Sequence, residues 1–328
     1  MTKSYFEVIR SGINTTYQDL GRKNLYHIGI PFSGAMDTRN LLITNKLVGN
    51  DRNDAVIEFA LQGPKLKIKQ NNINCVVTGN VNFTFKKNSK IFNGECYKTF
   101  DLNNNDEIDI ISTNNSMYGY FSISGGFKIE KKWNSYSTHL RSKVGPNKGN
   151  KIVENDILQL NKNVKPIIKK SIDYSNSKIE FIRVIKGTNF DYFSKESQKS
   201  FFESQYQVTN LTDRMGMRLD GYKLNNIKSE NIKSEGLIKG VIQVPPDGKP
   251  IIMLSDHGTI GGYPKIGVIV SADYDKIVQL PPMSKIKFKM IDVKSAEKLF
   301  KLYSMETKNI LDQIWDLFLV YQVHYWFF

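Results

Sequence analysis

The hydrophobic and polar residues of this chain follow the period of short β-strands over most of its length. Apolar and polar residues alternate over residues 5–10. Further short apolar runs follow at 56–61, 65–69, 75–78, 82–86, 107–111 and 118–124. Glycine, asparagine and aspartate residues separate the runs, and short strands at such spacing are typical of an antiparallel sandwich or barrel. The pattern therefore predicts a mainly β fold.

The densest set of these signals lies in residues 236–280. Two apolar runs, 241–244 and 251–254, flank the sequence Pro-Pro-Asp-Gly, which predicts a hairpin because proline fixes φ and Asp-Gly suits a tight reversal. After the second run come Asp256 and then Gly261, Gly262 and Tyr263. Adjacent glycines at a strand end suit a close approach of backbone to a ligand. Spacing alone favours the simpler interpretation, a second turn with Tyr263 packed on the core.

Helical periodicity is confined to a few segments. Three leucines give one apolar face to a predicted helix over residues 38–48, and a second predicted helix, over 295–318, ends the sheet pattern. The residues from 319 onwards are strongly aromatic, and we have no functional interpretation of this tail.

The chain is predicted to divide into two similar β domains. Residues 161–176 are polar and rich in lysine, as in a linker, and residues 179–185 then resemble the opening strand. The predicted parts are a first domain over 1–165, a second over 175–293, and a C-terminal helix with an aromatic tail over 294–328.

Composition excludes several classes of protein. The 328 residues are 40% hydrophobic and carry a net charge of +14, but the lysines are scattered, so a solvated basic surface is a better interpretation than a nucleic-acid groove. The two cysteines, Cys75 and Cys96, give neither a disulfide framework nor zinc spacing. The first residues contain no apolar leader, and no run reaches the roughly 20 apolar residues of a membrane span. We therefore expect a cytoplasmic protein that binds neither membranes nor nucleic acid.

The common catalytic motifs are absent from the sequence. The segment GPNKGNK (145–151) lacks the spacing of a phosphate loop, and there is no G-x-G-x-x-G, H-E-x-x-H or G-x-S-x-G. The four histidines show no metal-ligand spacing. We therefore expect this chain to bind no metal or cofactor itself, and any ATP chemistry to lie on a partner subunit.

Polar residues at predicted strand ends remain as candidates for a site. Each Asp–Arg combination is more often a structural ion pair than a functional one, so a functional interpretation requires several to converge on one cleft. The candidates are Asp19, Arg22, Ser33, Asp37, Arg214, Arg218, Gln243, Asp256, Gly261, Gly262, Tyr263 and Lys265.

Nine segments resemble motifs of the biotin-dependent carboxyltransferase family, and they occur in the same order. This family includes the C-type subunit of 5-oxoprolinase, KipA-type proteins, allophanate hydrolase subunit 2, urea amidolyase and the second carboxyltransferase half of urea carboxylase. The resemblance extends from about residue 6 to residue 291. The segments are TTYQDLGR (15–22), GIPFSGAMD (29–37), NKLVGN (45–50), IEFALQGP (57–64), SGGF (124–127), DRMGMRLDG (213–221), SEGLIKGVIQVPPDGKP (234–250), SDHGTIGGYPKIGVIVSADYDKIVQL (255–280) and KIKF (285–288). Tyr136, His257 and the aromatic tail depart from the family pattern.

The resemblance implies two cyclophilin-like β-barrel domains with a groove between them. It also implies a hetero-oligomer with A-type and B-type (KipI-like) 5-oxoprolinase subunits, in which 5-oxoproline is opened to glutamate with ATP bound on a partner. The chain has no Met-Lys-Met biotin-attachment sequence, so carboxybiotin would arrive on a separate carrier. We expect the chain to be inactive alone.

Three functions remain open at this point. The first is the C-type subunit of an ATP-dependent 5-oxoprolinase, a hydrolase acting on a cyclic amide. The second is a carboxyltransferase acting on urea or another amide through carboxybiotin. The third is a KipA-type regulatory protein that antagonises a kinase inhibitor and performs no chemistry.

Roles in the first function follow from the chemistry of an amide. The backbone N–H groups of Gly261 and Gly262, with Tyr263, would stabilise charge on the carbonyl oxygen, and Asp256 would act as the base. Arg214 or Arg218 would bind the substrate carboxylate. Gln243, Lys265, Asp19, Arg22, Ser33 and Asp37 are expected to complete the substrate site.

Overall fold

The computed structural model describes residues 4–70, 72–161, 169–175, 180–229 and 231–314. The chain forms two compact units. Unit 1 comprises Met1–Gly21, Thr38–Ser175 and Thr307–Phe328, and unit 2 comprises Arg22–Asp37 and Asn176–Glu306. The chain therefore leaves unit 1 at Gly21 and returns to it at Thr38, and the intervening Arg22–Asp37 segment belongs to unit 2.

Unit 1 is built from two antiparallel sheets. The six-stranded sheet has the order β11-β1-β4-β9-β6-β7, and the five-stranded sheet has the order β2-β3-β10-β5-β8. Its elements are β1 (Tyr5–Arg10), β2 (Thr16–Gln18), α1 (Thr38–Leu47), β3 (Val56–Ala60), β4 (Lys65–Lys69), β5 (Ile73–Thr78), β6 (Val81–Lys87), β7 (Lys90–Asn93), β8 (Phe100–Leu102), β9 (Glu107–Thr113), β10 (Tyr118–Ile123) and β11 (Ile157–Gln159).

The core of unit 1 lies between these two sheets. Alternation along β1 buries Phe6 and Val8, and the adjacent strand β4 buries Leu66 and Ile68 in the same way. From the other sheet, Phe121 meets Phe6 edge to face, with 5.9 Å between the ring centroids. Burial of these apolar side chains is the main stabilising term of such a sandwich.

Unit 2 is a nearly closed barrel. Its eight-stranded sheet has the order β20-β13-β14-β17-β16-β19-β12-β21, and only Lys287 separates β20 from β21 in the chain, so the two edges of the sheet come together. A two-stranded sheet pairs β15 with β18. The elements are β12 (Ile182–Lys186), α2 (Lys195–Glu203), β13 (Tyr206–Val208), β14 (Gly216–Asp220), β15 (Glu235–Gly236), β16 (Val241–Gln243), β17 (Ile251–Met253), β18 (Ile260–Gly261), β19 (Lys265–Ile269), α3 (Ser271–Ile277), β20 (Lys285–Ile286) and β21 (Phe288–Met290).

The predicted fold class is confirmed. The chain is mainly β, with a few short helices, a barrel-like sheet and a C-terminal helix, α4 (Val293–Asp312). The predicted hairpin is the β16–β17 pair, in which Gln243 lies opposite Ile251. The last helix was predicted over residues 295–318, but it begins at Val293 and ends at Asp312. The aromatic tail lies outside the described residues. Among the described helices, none combines the length and the apolar character that crossing a membrane requires.

Candidate functional site

Unit 2 contains every residue of the predicted site except Asp19. Within unit 2 six of these residues form two separate groups. One contains Arg214 and Asp256, which we call the arginine–aspartate pair. The other contains Gln243, Gly261, Tyr263 and Lys265 together with Glu235, and we call these five residues the lysine corner.

The arginine–aspartate pair is a buried bidentate ion pair. Arg214 Nε donates to Asp256 Oδ2 at 2.9 Å and Arg214 Nη2 donates to Oδ1 at 3.0 Å. The two side chains are only 5% and 6% exposed. The main chains are also joined, because the Asp256 N–H donates to the Arg214 carbonyl at 2.8 Å. Two parallel charge-assisted hydrogen bonds away from water fix both side chains against the ends of β14 and β17.

The Arg22–Asp37 segment is anchored to this pair. Arg214 Nη2 also donates to the Gly34 carbonyl at 2.6 Å, and Ser255 Oγ donates to the Ala35 carbonyl at 3.4 Å. Ser33 is fully buried with φ +57°, and its Oγ has no hydrogen-bond partner among the described residues. A left-handed backbone at a non-glycine residue persists only where the surroundings impose it. The arginine–aspartate pair supplies that constraint at the adjacent residue.

Two other predicted residues brace the same segment. The Arg22 N–H donates to the Phe32 carbonyl at 2.7 Å and closes the loop. Asp37 is buried and accepts a hydrogen bond from Gln279 Nε2 at 2.9 Å. Both contacts shape the segment.

A tyrosine–histidine contact adjoins the pair. His257 Nδ1 lies 2.6 Å from the Gly258 carbonyl oxygen, which can only accept, so Nδ1 carries a proton. In the neutral ring Nε2 is then an acceptor, and Tyr26 Oη donates to it at 3.1 Å. Burial raises the pKa of Tyr26 above its usual value and keeps the hydroxyl protonated.

The lysine corner is organised by a buried ammonium group. Lys265 is the first residue of β19 and is only 4% exposed. The Nζ atom of Lys265 lies 2.6 Å from Glu235 Oε2. The main-chain N–H of Lys265 donates to Asn189 Oδ1 at 3.1 Å. The Glu235 side chain is 46% exposed, so the ion pair lies at the boundary between the protein interior and solvent. One of the three ammonium protons of Lys265 is directed to Glu235, and an ammonium group can donate two more.

Gln243 presents an amide acceptor in the same corner. Its Nε2 donates to the Tyr263 carbonyl at 3.2 Å, and that contact fixes the orientation of the amide because a carbonyl oxygen cannot donate. Among the described residues no donor contacts Gln243 Oε1. A Cβ at position 261 would lie 2.6 Å from Gln243 Nε2, so any larger residue there would displace the Gln243 amide.

The register of the small sheet determines which glycine N–H groups are accessible. The Leu237 N–H donates to the Thr259 carbonyl, and Glu235 lies opposite Gly261. Because hydrogen-bonded pairs alternate along an antiparallel ladder, Glu235 and Gly261 form a pair of the same type as Leu237 and Thr259. The N–H of Gly261 is thus directed to the main-chain carbonyl of Glu235. No described acceptor contacts the N–H of Gly262.

The two groups lie at opposite ends of the β16–β17 hairpin. Gln243 pairs with Ile251, the first residue of β17, and also with Lys265. Asp256 lies three residues after Met253, the last residue of β17, beyond the other end of that strand. The predicted base is therefore separated from the predicted carbonyl donors by the length of a strand.

The remaining predicted residues are placed elsewhere. Arg218 lies on the outer face of β14 and is exposed, because the alternation along this strand buries Met217 and Leu219 instead. Asp19 lies in unit 1. Its carboxylate accepts from the hydroxyls of Ser135 and Ser137 and from the N–H groups of Gly21 and Tyr136, so it fixes the 135–137 loop.

Glu235 was not among the predicted residues. It follows no apolar alternation, and only its place inside the SEGLIKG segment could have drawn attention to it. Tyr26 and His257 are also unpredicted, since 231 positions separate them along the chain. Within the described ranges, no group of three or more His, Cys, Asp or Glu side chains could hold a metal ion.

Comparison with known proteins shows the domain family to which the chain belongs. The profile of the family described as "Carboxyltransferase domain, subdomain A and B" matches residues 28–290. The chain is similar to the C-type subunit of 5-oxoprolinase from Haemophilus influenzae, at 31% identity over 302 residues, which is 91% of this chain and 96% of that protein.

It is also similar to part of a larger protein. "Urea amidolyase" of Saccharomyces cerevisiae is 27% identical over 327 residues, which is 93% of this chain and 18% of that protein. The crystal structure of the K. lactis urea amidolyase superposes with a TM-score of 0.84 at 25% identity, and the match covers 94% of this chain and 20% of that one. The chain therefore spans about a fifth of each of these two larger proteins.

Proposed function

We propose, from the premise that this chain belongs to the carboxyltransferase family of subdomains A and B, that it is the C-type subunit of an ATP-dependent 5-oxoprolinase. Its A-type and B-type partners complete the enzyme, and ATP binds on a partner. In the overall reaction one water adds across the C–N bond of the lactam, which gives the amine and second carboxylate of glutamate. Hydrolysis of ATP to ADP and phosphate drives the ring opening.

The observation that carries this proposal is the end-to-end match to a free-standing subunit. The alignment with the Haemophilus influenzae protein covers 96% of that protein, whereas the alignment with the yeast urea amidolyase covers only 18% of it. The aligned region therefore corresponds to nearly the whole of that subunit, but to only a small part of the larger protein.

The lysine corner suits the recognition of a cyclic amide that carries a carboxylate. Gln243 Oε1, which has no described donor, would accept the lactam N–H. The N–H of Gly262 and the Tyr263 hydroxyl would face the lactam carbonyl oxygen, where negative charge develops during ring opening. The Lys265 ammonium group would bind the substrate carboxylate with the protons that Glu235 does not engage.

This assignment changes three roles predicted from the sequence. The N–H of Gly261 is directed to Glu235 across the small sheet, so only the N–H of Gly262 is assigned to the carbonyl oxygen. Arg214 is engaged by Asp256 and by the Gly34 carbonyl, so we no longer assign it to the substrate carboxylate. Each carboxylate oxygen of Asp256 already accepts a charge-assisted hydrogen bond from the guanidinium group of Arg214, so we no longer assign Asp256 as the base. We assign the pair to bracing the Arg22–Asp37 segment.

Reconstitution tests the proposal. The chain is mixed with its A-type and B-type partners, and glutamate formed from 5-oxoproline and ATP is measured. We expect glutamate only when all three are present, with turnover unaffected by avidin. A full three-component mixture that forms a stable complex but no glutamate would refute the proposal.

The second candidate is a carboxyltransferase acting on urea or another amide. The similarity to urea amidolyase over 93% of this chain favours it. Carboxybiotin would then be delivered on a separate carrier. In the same reconstitution, this candidate predicts ATP turnover that depends on urea and is inhibited by avidin.

A further inference from the structure

A cavity in unit 1 is lined by residues for which the proposed function has no use. Its volume is about 810 Å³, within the roughly 300–1,000 Å³ that is typical of small-molecule sites. Its walls are formed by β2, by residues 128–132, by residues 145–148 and by residues around β11.

Tyr17 of β2 supplies a hydrogen-bond donor to this cavity. The residue is 4% exposed, and its ring packs edge to face on Phe127 with 5.4 Å between the centroids. Its hydroxyl makes no hydrogen bond to any described residue. Burial and the nearby Asp156 carboxylate raise the pKa of Tyr17, so the hydroxyl remains a donor. A buried hydroxyl is unfavourable unless something accepts its hydrogen bond, and the cavity is where an acceptor can lie.

The charged residues of the wall are predominantly basic. Four lysines and two acids line the cavity. The Nζ atoms of Lys131 and Lys132 lie over the rings of Tyr136 and Trp133. The other two lysines, Lys128 and Lys148, have no ion pair or ring contact within the described part of the chain. The acids are Glu130 and Asp156, and Asp156 Oδ2 already accepts from the Val153 N–H at 2.9 Å.

Two glycines hold the 145–149 loop in place. Gly145 has φ +122°, and a Cβ there would lie 2.5 Å from the Ser137 carbonyl oxygen. Gly149 has φ +70°, and a Cβ there would lie 2.1 Å from the Lys143 carbonyl carbon. Both positions therefore require glycine, and the loop packs closely on residues 137–144. The lysine-containing GPNKGNK segment lacks phosphate-loop spacing, yet it places Lys148 at the cavity wall.

We propose that this cavity binds a small molecule with one acidic group, a carboxylate or a phosphate, joined to an apolar body. The Tyr17 hydroxyl donates to the acidic group, and the ammonium groups of Lys128 and Lys148 neutralise it. Ile129, Ile152 and Leu158 contact the apolar body. The proposal is independent of the 5-oxoprolinase assignment, because it concerns unit 1 only.

Calorimetric titration of the full chain at low salt tests this site. The probes are hexanoate and hexyl phosphate, which share one apolar body, and hexanamide, which lacks the charge. We expect saturable binding of at least one of the two acids and none of hexanamide. Whichever of the two acids binds more tightly identifies the acidic group of the ligand. The proposal would be overturned if neither acid bound, or if hexanamide bound as tightly as the acids.

Variants locate the site. We expect Lys148→Ala to weaken binding of the preferred acid about tenfold, as for loss of a charge-assisted contact. Tyr17→Phe should weaken binding several-fold without lowering the melting temperature, since the ring contact with Phe127 remains. Lys151→Ala removes an exposed lysine of the same loop that does not line the cavity, and it should bind like wild type. Unchanged affinity in both Lys148→Ala and Tyr17→Phe would place the ligand elsewhere and reject the assignment.

Discussion

The buried pair of Arg214 and Asp256 allows a direct separation of structural from catalytic roles. Asp256→Asn keeps the shape of the side chain but removes its charge, and it turns a donor toward a guanidinium group that is 5% exposed. Breaking such a pair leaves an unpaired buried charge, which costs about 3–5 kcal/mol. We therefore expect the melting temperature to fall by roughly 10 °C for a unit of this size. Activity of the reconstituted complex should fall with the folded fraction.

A double variant provides the decisive comparison. Arg214→Met combined with Asp256→Asn removes the unpaired charge, so the combined destabilisation should be about 1–3 kcal/mol smaller than the sum of the single effects. Circular dichroism gives the stabilities, and hydrogen exchange should show faster exchange at Gly34 and neighbouring residues in the single variant.

The control is an exposed ion pair in the same unit. Lys249 Nζ lies 2.7 Å from Asp220 Oδ1, and the two side chains are 42% and 55% exposed. Asp220→Asn should therefore leave the melting temperature unchanged. If Asp256→Asn instead retained wild-type stability and abolished turnover, the bracing role would be refuted and Asp256 would return as the catalytic base.

Two further predictions concern backbone geometry. Gly261→Ala should displace Gln243, because the new Cβ would lie 2.6 Å from its Nε2. Glutamate formation should fall at least tenfold, because the amide that accepts the lactam N–H would be out of position. Gly236→Ala, on the paired strand with open space around its Cβ, should retain activity. Asp292→Ala should speed hydrogen exchange in the first turn of α4, since Asp292 Oδ1 accepts from the Ser295 N–H. This hydrogen bond lowers the pKa of Asp292, so its stabilising effect is complete above the ordinary value of 3.8 and is lost as the pH falls through the lower folded value. Wild-type exchange rates in Asp292→Ala would contradict that capping role.

The fold was predictable where local patterns determine it. Alternation identified β1 and β4, and Pro-Pro-Asp-Gly identified the β16–β17 hairpin. In contrast, no local pattern shows that the Arg22–Asp37 segment groups with unit 2, since its anchors, Arg214 and Ser255, lie about 200 positions later in the chain. Long-range hydrogen bonds of this kind leave no periodic signal.

The site was predictable in part for the same reason. The family segments drew attention to Gln243, Gly261 and Lys265, and the structure brings these together because β16 and β19 are neighbours in the sheet. The sequence could not show that Arg214 and Asp256 bind each other, because spacing does not reveal a partner. Nor could it show that Gly261 and Asp256 lie at opposite ends of one hairpin, since their separation depends on strand direction.

Glutamate formation by the reconstituted complex, with Lys265→Met in place of the wild-type chain, tests the central claim most directly. We predict that Lys265→Met lowers turnover by at least tenfold, as for loss of a charge-assisted contact to the substrate. The matched variant Lys249→Met, which removes the exposed lysine–carboxylate pair, should retain full turnover. Wild-type glutamate formation by a folded, assembled Lys265→Met complex would contradict a substrate site at the lysine corner.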